Sequence, residues 1–297
     1  MFESRLNTWI IIIVAGVICL YPIQKIIDNQ ATDQFIALKN VSTLGFARYL
    51  INQPDTSFLL PTTLDEISGL SLSHQNDHLV GVQDEQGKLF FISKTTGKLV
   101  NDVKFGGGDD YEGVEVVDSL AYVINSKGNF DIINLSQLAS PKQTMKTFLN
   151  SSDDVEGLGR LHNRRALLVA CKSYRSKKDK NRKVYLLDLD SMMLDSTPFI
   201  VLDNRQIADA LDRESITPLF SPSGISVDPR SGEIYVISSA AKALVILSNQ
   251  GKLLGAVKLD GRIHKQPEGI TIDHNGKLYI TNEARGGSAK LHVFNPN

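Results

Sequence analysis

The chain has 297 residues, 42% of them hydrophobic and 22% charged, a composition that supports one large globular domain or two ordinary ones. Its 32 basic and 33 acidic side chains leave a formal net charge of -1, which excludes a globally basic nucleic-acid-binding protein and an acidic disordered one. The two cysteines, Cys19 and Cys171, are too few for a disulfide scaffold or a multi-cysteine zinc site.

From Leu6 to Gln24 there are 19 residues without a formal charge, centred on WIIIIVAGVICLYPI. A bilayer core of about 30 Å needs roughly 20 apolar helical residues, so this run is long enough to span. Trp9 and Tyr21 stand near its ends, where aromatic rings favour the membrane interface. Arg5 ahead of the run also fits a cleaved signal peptide, but no small-x-small cleavage site follows. Ile18 is too bulky before Cys19 for lipoprotein processing. The expectation is an uncleaved transmembrane helix over residues 1–27, a stalk over 28–54 and the main domain over 55–297. The positive-inside bias puts the amino terminus in the cytoplasm and the domain beyond the inner membrane, in the periplasm.

After about Thr56 the chain reads as short apolar strands punctuated by turn residues. One phrase recurs. Glu66-Ile67-Ser68-Gly69-Leu70 opens the first copy, Glu112-Gly113-Val114 the second and Glu156-Gly157-Leu158 the third. Ser223-Gly224-Ile225 opens the fourth and Glu268-Gly269-Ile270 the fifth. The motif glycines fall at 69, 113, 157, 224 and 269, in steps of 44, 44, 67 and 45. A period of about 40–45 residues holding four strands predicts the blades of a β-propeller. The long third step implies an insertion, or a sixth blade built from residues between 172 and 217. An open β-sandwich has no reason to keep a fixed period.

The strand order repeats inside each copy. Gly269 to Asp273 predicts an inner strand, His274-Asn275-Gly276 a tight turn and Lys277 to Thr281 a second strand. Third strands are expected at Leu89–Ser93, Phe130–Leu135, Val184–Leu189, Leu244–Leu247 and Leu291–Phe294. The fifth copy stops at Asn297 after three strands, while Thr56–Leu60 is a spare strand ahead of the first. Pairing the two would close the ring and remove an exposed sheet edge.

Glu112, Glu156 and Glu268 each stand immediately before a motif glycine. Glu66 lies two residues further from its glycine, and strand alternation lets it point the same way. In a propeller these four carboxylates converge on one mouth of the central channel. Charges about 8 Å apart repel by roughly 2 kcal/mol at an effective dielectric near 20, so something must offset them. A cation, protonation or a basic partner would serve, and no basic residue occupies the aligned position in any copy. An oxygen-only cage suits calcium or magnesium better than zinc. The alternative is structural, with the glutamates capping backbone amides of neighbouring blades. Asp84, Asn125, Asn282 and Glu283, where second strands end on the same face, are further candidate ligands. Asp109, Asp110, Asp153 and Asp154 precede their motifs and read more simply as solvated turns.

The phrases at Glu66–Leu70, Tyr111–Glu115, Val155–Leu158 and Pro267–Ile270 resemble the bacterial SdiA-regulated family, over about residues 55 to 297. That family combines an amino-terminal membrane segment with a propeller. The resemblance implies five blades and a calcium site, with no established enzymatic activity. Asp228 to Tyr235 and Asp273 to Tyr279 also resemble NHL repeats and, more distantly, gluconolactonase-type propellers. Ser223 departs from the acidic pattern and breaks the symmetry of the site.

Other features carry less. Lys172 to Lys183 holds seven basic residues and one acid, an expected surface insertion that could also meet anionic lipid or a polyanion. His74, His78, His162, His264, His274 and His292 show no metal-ligand spacing and read as turn and surface residues. Cys171 ends an apolar strand and reads as a packed thiol. No G-x-S-x-G elbow or phosphate-cradling loop appears. The sequence therefore predicts an all-β, membrane-tethered five-bladed propeller that binds calcium and a protein or small-molecule partner. A metal-dependent hydrolase of lactones or phosphoesters, with Asp84 or Glu283 as base, is the alternative.

Overall fold

The structure, a computed structural model, describes residues 48–75, 77–173 and 180–297. The apolar run and most of the stalk lie outside the described residues. Among the described residues no helix is long and apolar enough to cross a membrane.

The described strands form five antiparallel sheets arranged as the blades of a propeller. The first holds β2 (Ile67–Leu72), β3 (His78–Gln83), β4 (Gln86–Ser93) and β5 (Leu99–Lys104). The second holds β6 (Tyr111–Val117), β7 (Leu120–Asn125), β8 (Phe130–Asn134) and β9 (Gln143–Met145). In the third, β10 (Val155–Leu161), β11 (Ala166–Cys171) and β12 (Arg182–Asp188) are followed by β13 (Met193–Leu194) and β14 (Ile200–Leu202). The fourth runs β15 (Gly224–Val227), β16 (Ile234–Ser238), β17 (Ala243–Leu247) and β18 (Leu253–Lys258). The fifth has β19 (Pro267–Ile272), β20 (Leu278–Asn282) and β21 (Lys290–Phe294), and its outer strand is β1 (Thr56–Leu59). Thr56 faces Val293 and Leu59 faces Lys290 in that closing pair, so the spare strand seals the ring as the repeat pattern requires.

The long third step is an insertion and not a sixth blade. β13 pairs with the end of β12 and β14 with its start, so the blade's outer strand is split in two. The chain then forms helix α1 (Asn204–Ala210), capped by Asp203, whose carboxylate accepts from the amides of Arg205 and Gln206. Ile207 and Ala210 pack among the residues that join the third and fourth blades.

Burial follows from this arrangement. Each of five apolar clusters fills the wedge between two neighbouring blades, as where Val82 and Leu89 of the first meet Val114 and Val123 of the second. Cys171 lies in one of these clusters as a buried thiol. Residues 48–53, expected in the stalk, belong to the propeller body. Tyr49 and Ile51 are buried in the wedge between the fourth and fifth blades, and the Tyr49 hydroxyl donates to the Gly276 carbonyl at 2.6 Å. Two of the histidines expected at the surface are buried instead. His264 bonds the Ile51 carbonyl at 2.8 Å and His292 meets the Ser57 hydroxyl at 2.7 Å, so both fasten the opening segment to the last blade. Strand alternation alone could not reveal that a later segment covers them.

The inner strands crowd the axis, and the motif glycines are the reason they can. A Cβ on Gly69 would lie 2.8 Å from the Gly113 Cα, and one on Gly113 would lie 2.9 Å from the Leu158 Cβ. A Cβ on Gly224 would come within 2.1 Å of the Glu268 carbonyl oxygen. We expect Gly224→Ala to cost about 1–3 kcal/mol through overpacking against this unyielding backbone. Gly261→Ala, where an added Cβ would meet nothing within 4 Å, should be nearly neutral. Urea unfolding midpoints of the two variants check the contrast.

Candidate functional site

Three of the four acidic motif residues, Glu112, Glu156 and Glu268, sit at an irregularity in their strands. In β6 the register passes from Tyr111 opposite Asn125 to Gly113 opposite Ile124, which leaves Glu112 without a cross-strand partner. Glu156 is left out in the same way between Val155 and Gly157, and Ser68 between Ile67 and Gly69. In β19, Glu268 and Gly269 share one such bulge. A bulge re-aims a side chain, and here it turns the extra residue toward the axis. Glu112, Glu156, Glu268 and Ser68 line one axial cavity of ≈ 10 Å³, about the room of a single water.

The serines in the aligned position have a different task. The Ser68 hydroxyl donates to the Tyr111 carbonyl and that of Ser223 to the Pro267 carbonyl, both at 2.6 Å. Each stitches its blade to the next, and the three glutamates of the other blades are left as the ionisable groups facing the axis.

The remaining candidates divide. Glu66 is exposed on the rim, close to Asp84 and Glu283. Asn282 is 2% exposed, and neither its amide oxygen nor its nitrogen has a hydrogen-bond partner. Asp84 Oδ1 is likewise buried without one. Asn125 is turned elsewhere: its amide donates to Asp109 at 2.7 Å and accepts from the Asn129 amide at 3.0 Å. Asp228 and Asp273, in the NHL-like turns, are structural. Asp273 accepts from Lys94 of the first blade at 2.9 Å and from the Tyr279 hydroxyl at 3.2 Å, a buried tie across the closure.

One residue at the acidic mouth was not among the candidates. Lys172 Nζ donates to Glu156 Oε1 at 2.6 Å. The motif alignment missed it because it lies at the end of the second strand, one step past Cys171, where the first and fifth blades carry Asp84 and Glu283. The signal was present in that offset. Among the described residues, no three His, Cys, Asp or Glu side chains stand close enough together to hold a metal as they are.

Charge crowding governs the electrostatics. Burial, then Glu156, Asp110 and Glu268, pushes the Glu112 carboxyl far above the usual range. Glu268 is raised well above it by burial and then by Glu156 and Glu283. Glu156 is raised by burial although Lys172 opposes the shift. Burial and neighbouring acids lift Glu283 to about 7 and Asp84 to about 6. Lys172 is itself raised: burial lowers it, and Glu156 more than reverses the effect.

A model for the SdiA-regulated family matches residues 55–285. The chain belongs to that family. No curated protein matches it. Among solved structures, a luciferin-regenerating enzyme is similar with a TM-score of 0.50 at 10% identity, over 82% of this chain and 95% of that one. A gluconolactonase of Xanthomonas campestris is similar with a TM-score of 0.50 at 14% identity, over 78% of this chain and 72% of that one. At these identities the likeness is one of fold. The family match bears out the resemblance read from the repeated motif, and the five blades bear out the architecture that the motif implied.

The raised carboxyls make a sign-definite prediction for this SdiA-regulated propeller. A group whose folded pKa exceeds its unfolded value stabilises fully below the unfolded pKa and loses that contribution as pH rises toward the folded one. His162, His264 and His292, held below their ordinary value by burial first, have finished titrating in both states above pH ~7. Between pH ~7 and ~9 Glu112 and Glu268, the acids raised furthest, contribute a falling slope. With chelator present, the Tm should fall as pH rises across this window, and Glu112→Gln should flatten the fall. Melting curves at several pH values measure both.

Proposed function

We propose that the chain is a membrane-anchored, envelope-facing propeller that binds calcium at its acidic mouth and serves as an interaction module there. The observation that carries the reading is the axial cavity, where three buried or half-buried glutamates face one space of ≈ 10 Å³. Glu112, Glu156 and Glu268 would supply hard oxygen ligands. The unpartnered Asn282 amide oxygen would add a neutral one, with Glu66, Asp84 and Glu283 on the rim. The raised carboxyls fit the same account, because a divalent charge among them would offset both the repulsion and the burial cost. Magnesium fits less well, since it keeps several waters in a strict octahedron and the cavity is small.

Lys172 is the resident competitor. It already neutralises Glu156, so calcium must displace or share that contact. A hundredfold excess of calcium over its Kd should stabilise the protein by about 2.7 kcal/mol, or roughly 5–10 °C in Tm. Glu268→Gln should abolish this shift, and Lys172→Met should tighten calcium binding on the order of tenfold by removing a competing charge. Calorimetric titration with calcium decides. A wild-type protein indifferent to calcium would remove the cation from the account.

Anchoring rests on the charge-free run before residue 25. The full chain should sediment with membranes at high salt, and deletion of residues 2–27 should release it. A full chain recovered in the soluble fraction would count against the anchor.

A second reading, a metal-dependent hydrolase of lactones or phosphoesters, draws on Glu283 and Asp84. Burial and their acidic neighbours bring these carboxyls to about 7 and about 6, suited to a general base beside a cation. Calcium-dependent turnover of a lactone or phosphoester panel, lost in Glu283→Gln with calcium affinity retained, would favour it over a binding module.

A further inference from the structure

The opposite mouth of the channel carries its own constellation. Five residues past each motif glycine stand His74, Asp118, His162, Pro229 and His274, one per blade. Three imidazoles thus stand on one ring, contributed by the first, third and fifth blades. They line a cavity of ≈ 220 Å³ together with Arg160. This cavity shares no lining residue with the axial cavity of ≈ 10 Å³ at the acidic mouth, so the two mouths are distinct sites.

Arg160 is the centre of its electrostatics. Its charge reaches Glu115, Asp118 and His162 alike. The acids at this end are already engaged. Asp118 pairs with Arg165 at 2.5 Å. Glu115, on the floor, accepts from the Ser71 hydroxyl at 2.7 Å and the Arg160 amide at 3.1 Å, and burial pushes its carboxyl up to about 7. His162 and His274 meet edge to face, with ring centroids 6.1 Å apart. Among the described residues no three of the histidines and acids approach metal-ligating geometry.

We infer that this second mouth binds a small tetrahedral oxyanion of the phosphate or sulfate class, held by the Arg160 guanidinium and by N–H groups of His74 and His274. His162, whose own N–H is engaged by the Val227 carbonyl, forms the wall against which His274 packs. Donors that converge from three separate blades enclose a ligand in three dimensions, which suits a tetrahedral anion better than a planar carboxylate. Arginine supplies the fixed charge and the paired donors that oxyanions recruit. The cavity admits phosphate with its remaining waters. A propeller with cations at one mouth and anions at the other would present two ligand-dependent surfaces from a single rigid body.

The test uses the full-length protein at pH 7 in calcium-free buffer. Inorganic phosphate and sulfate should each raise the Tm saturably, and acetate should do so less or not at all. Arg160→Gln should weaken phosphate binding about tenfold or more. His74→Gln, an exposed rim change that leaves packing alone, should weaken it by a smaller factor. Both variants should keep the calcium response of the wild type, whatever that response is, so failure here and failure at the acidic mouth are distinguishable. The inference is overturned if phosphate produces no saturable shift, if the shift survives intact in both variants, or if acetate or zinc produces it and phosphate does not.

Discussion

Everything in this propeller depends on how closely its inner strands approach the axis. At the motif glycines a neighbouring blade occupies the place where a Cβ would stand, from Gly69 against Gly113 around to Gly269 against Leu70. Only glycine permits that approach without displacing backbone. The ring it allows is tight enough to leave an axial space of about one water. Five apolar wedges then fill the widening gaps outward, and β1 completes the last blade.

The same tight axis sets the chemistry. A bulge beside four of the five glycines re-aims one residue toward the centre. Where that residue is serine, it stitches blades together, and where it is glutamate, it places a carboxylate among other carboxylates. Burial and mutual repulsion then raise those groups, and Lys172 relieves only Glu156 directly. Protonation, or the bound cation proposed above, would relieve the repulsion that remains. The far mouth is different: a cavity of ≈ 220 Å³ opens there, lined by histidines and arginine.

Much of the fold was legible in the sequence, and much of the site was not. The equal steps between motif glycines implied blades, and the spare strand at Thr56 implied closure, since both follow from local periodicity and from the need to cover a sheet edge. Glu112, Glu156 and Glu268 were legible as axial for the same reason. Asn125 and Asn282 end equivalent strands, yet one is bonded into a turn by Asp109 and Asn129 while the other is buried without partners. No repeat pattern separates them, because the difference lies in what each loop brings alongside.

The amino-acid order by itself determined the repeat period, the place of the long third step and the axial position of Glu112, Glu156 and Glu268, because these depend on spacing along the chain. Whether that step held an insertion or a sixth blade, and that Glu66 stands on the rim, it left to the fold. Only the tertiary structure decided that Lys172 reaches Glu156, that His264 and His292 lie beneath the opening segment, and that His74, His162 and His274 share one rim. Those relations join residues of different blades or distant segments. They exist only once the ring has closed and set which side chains meet across space.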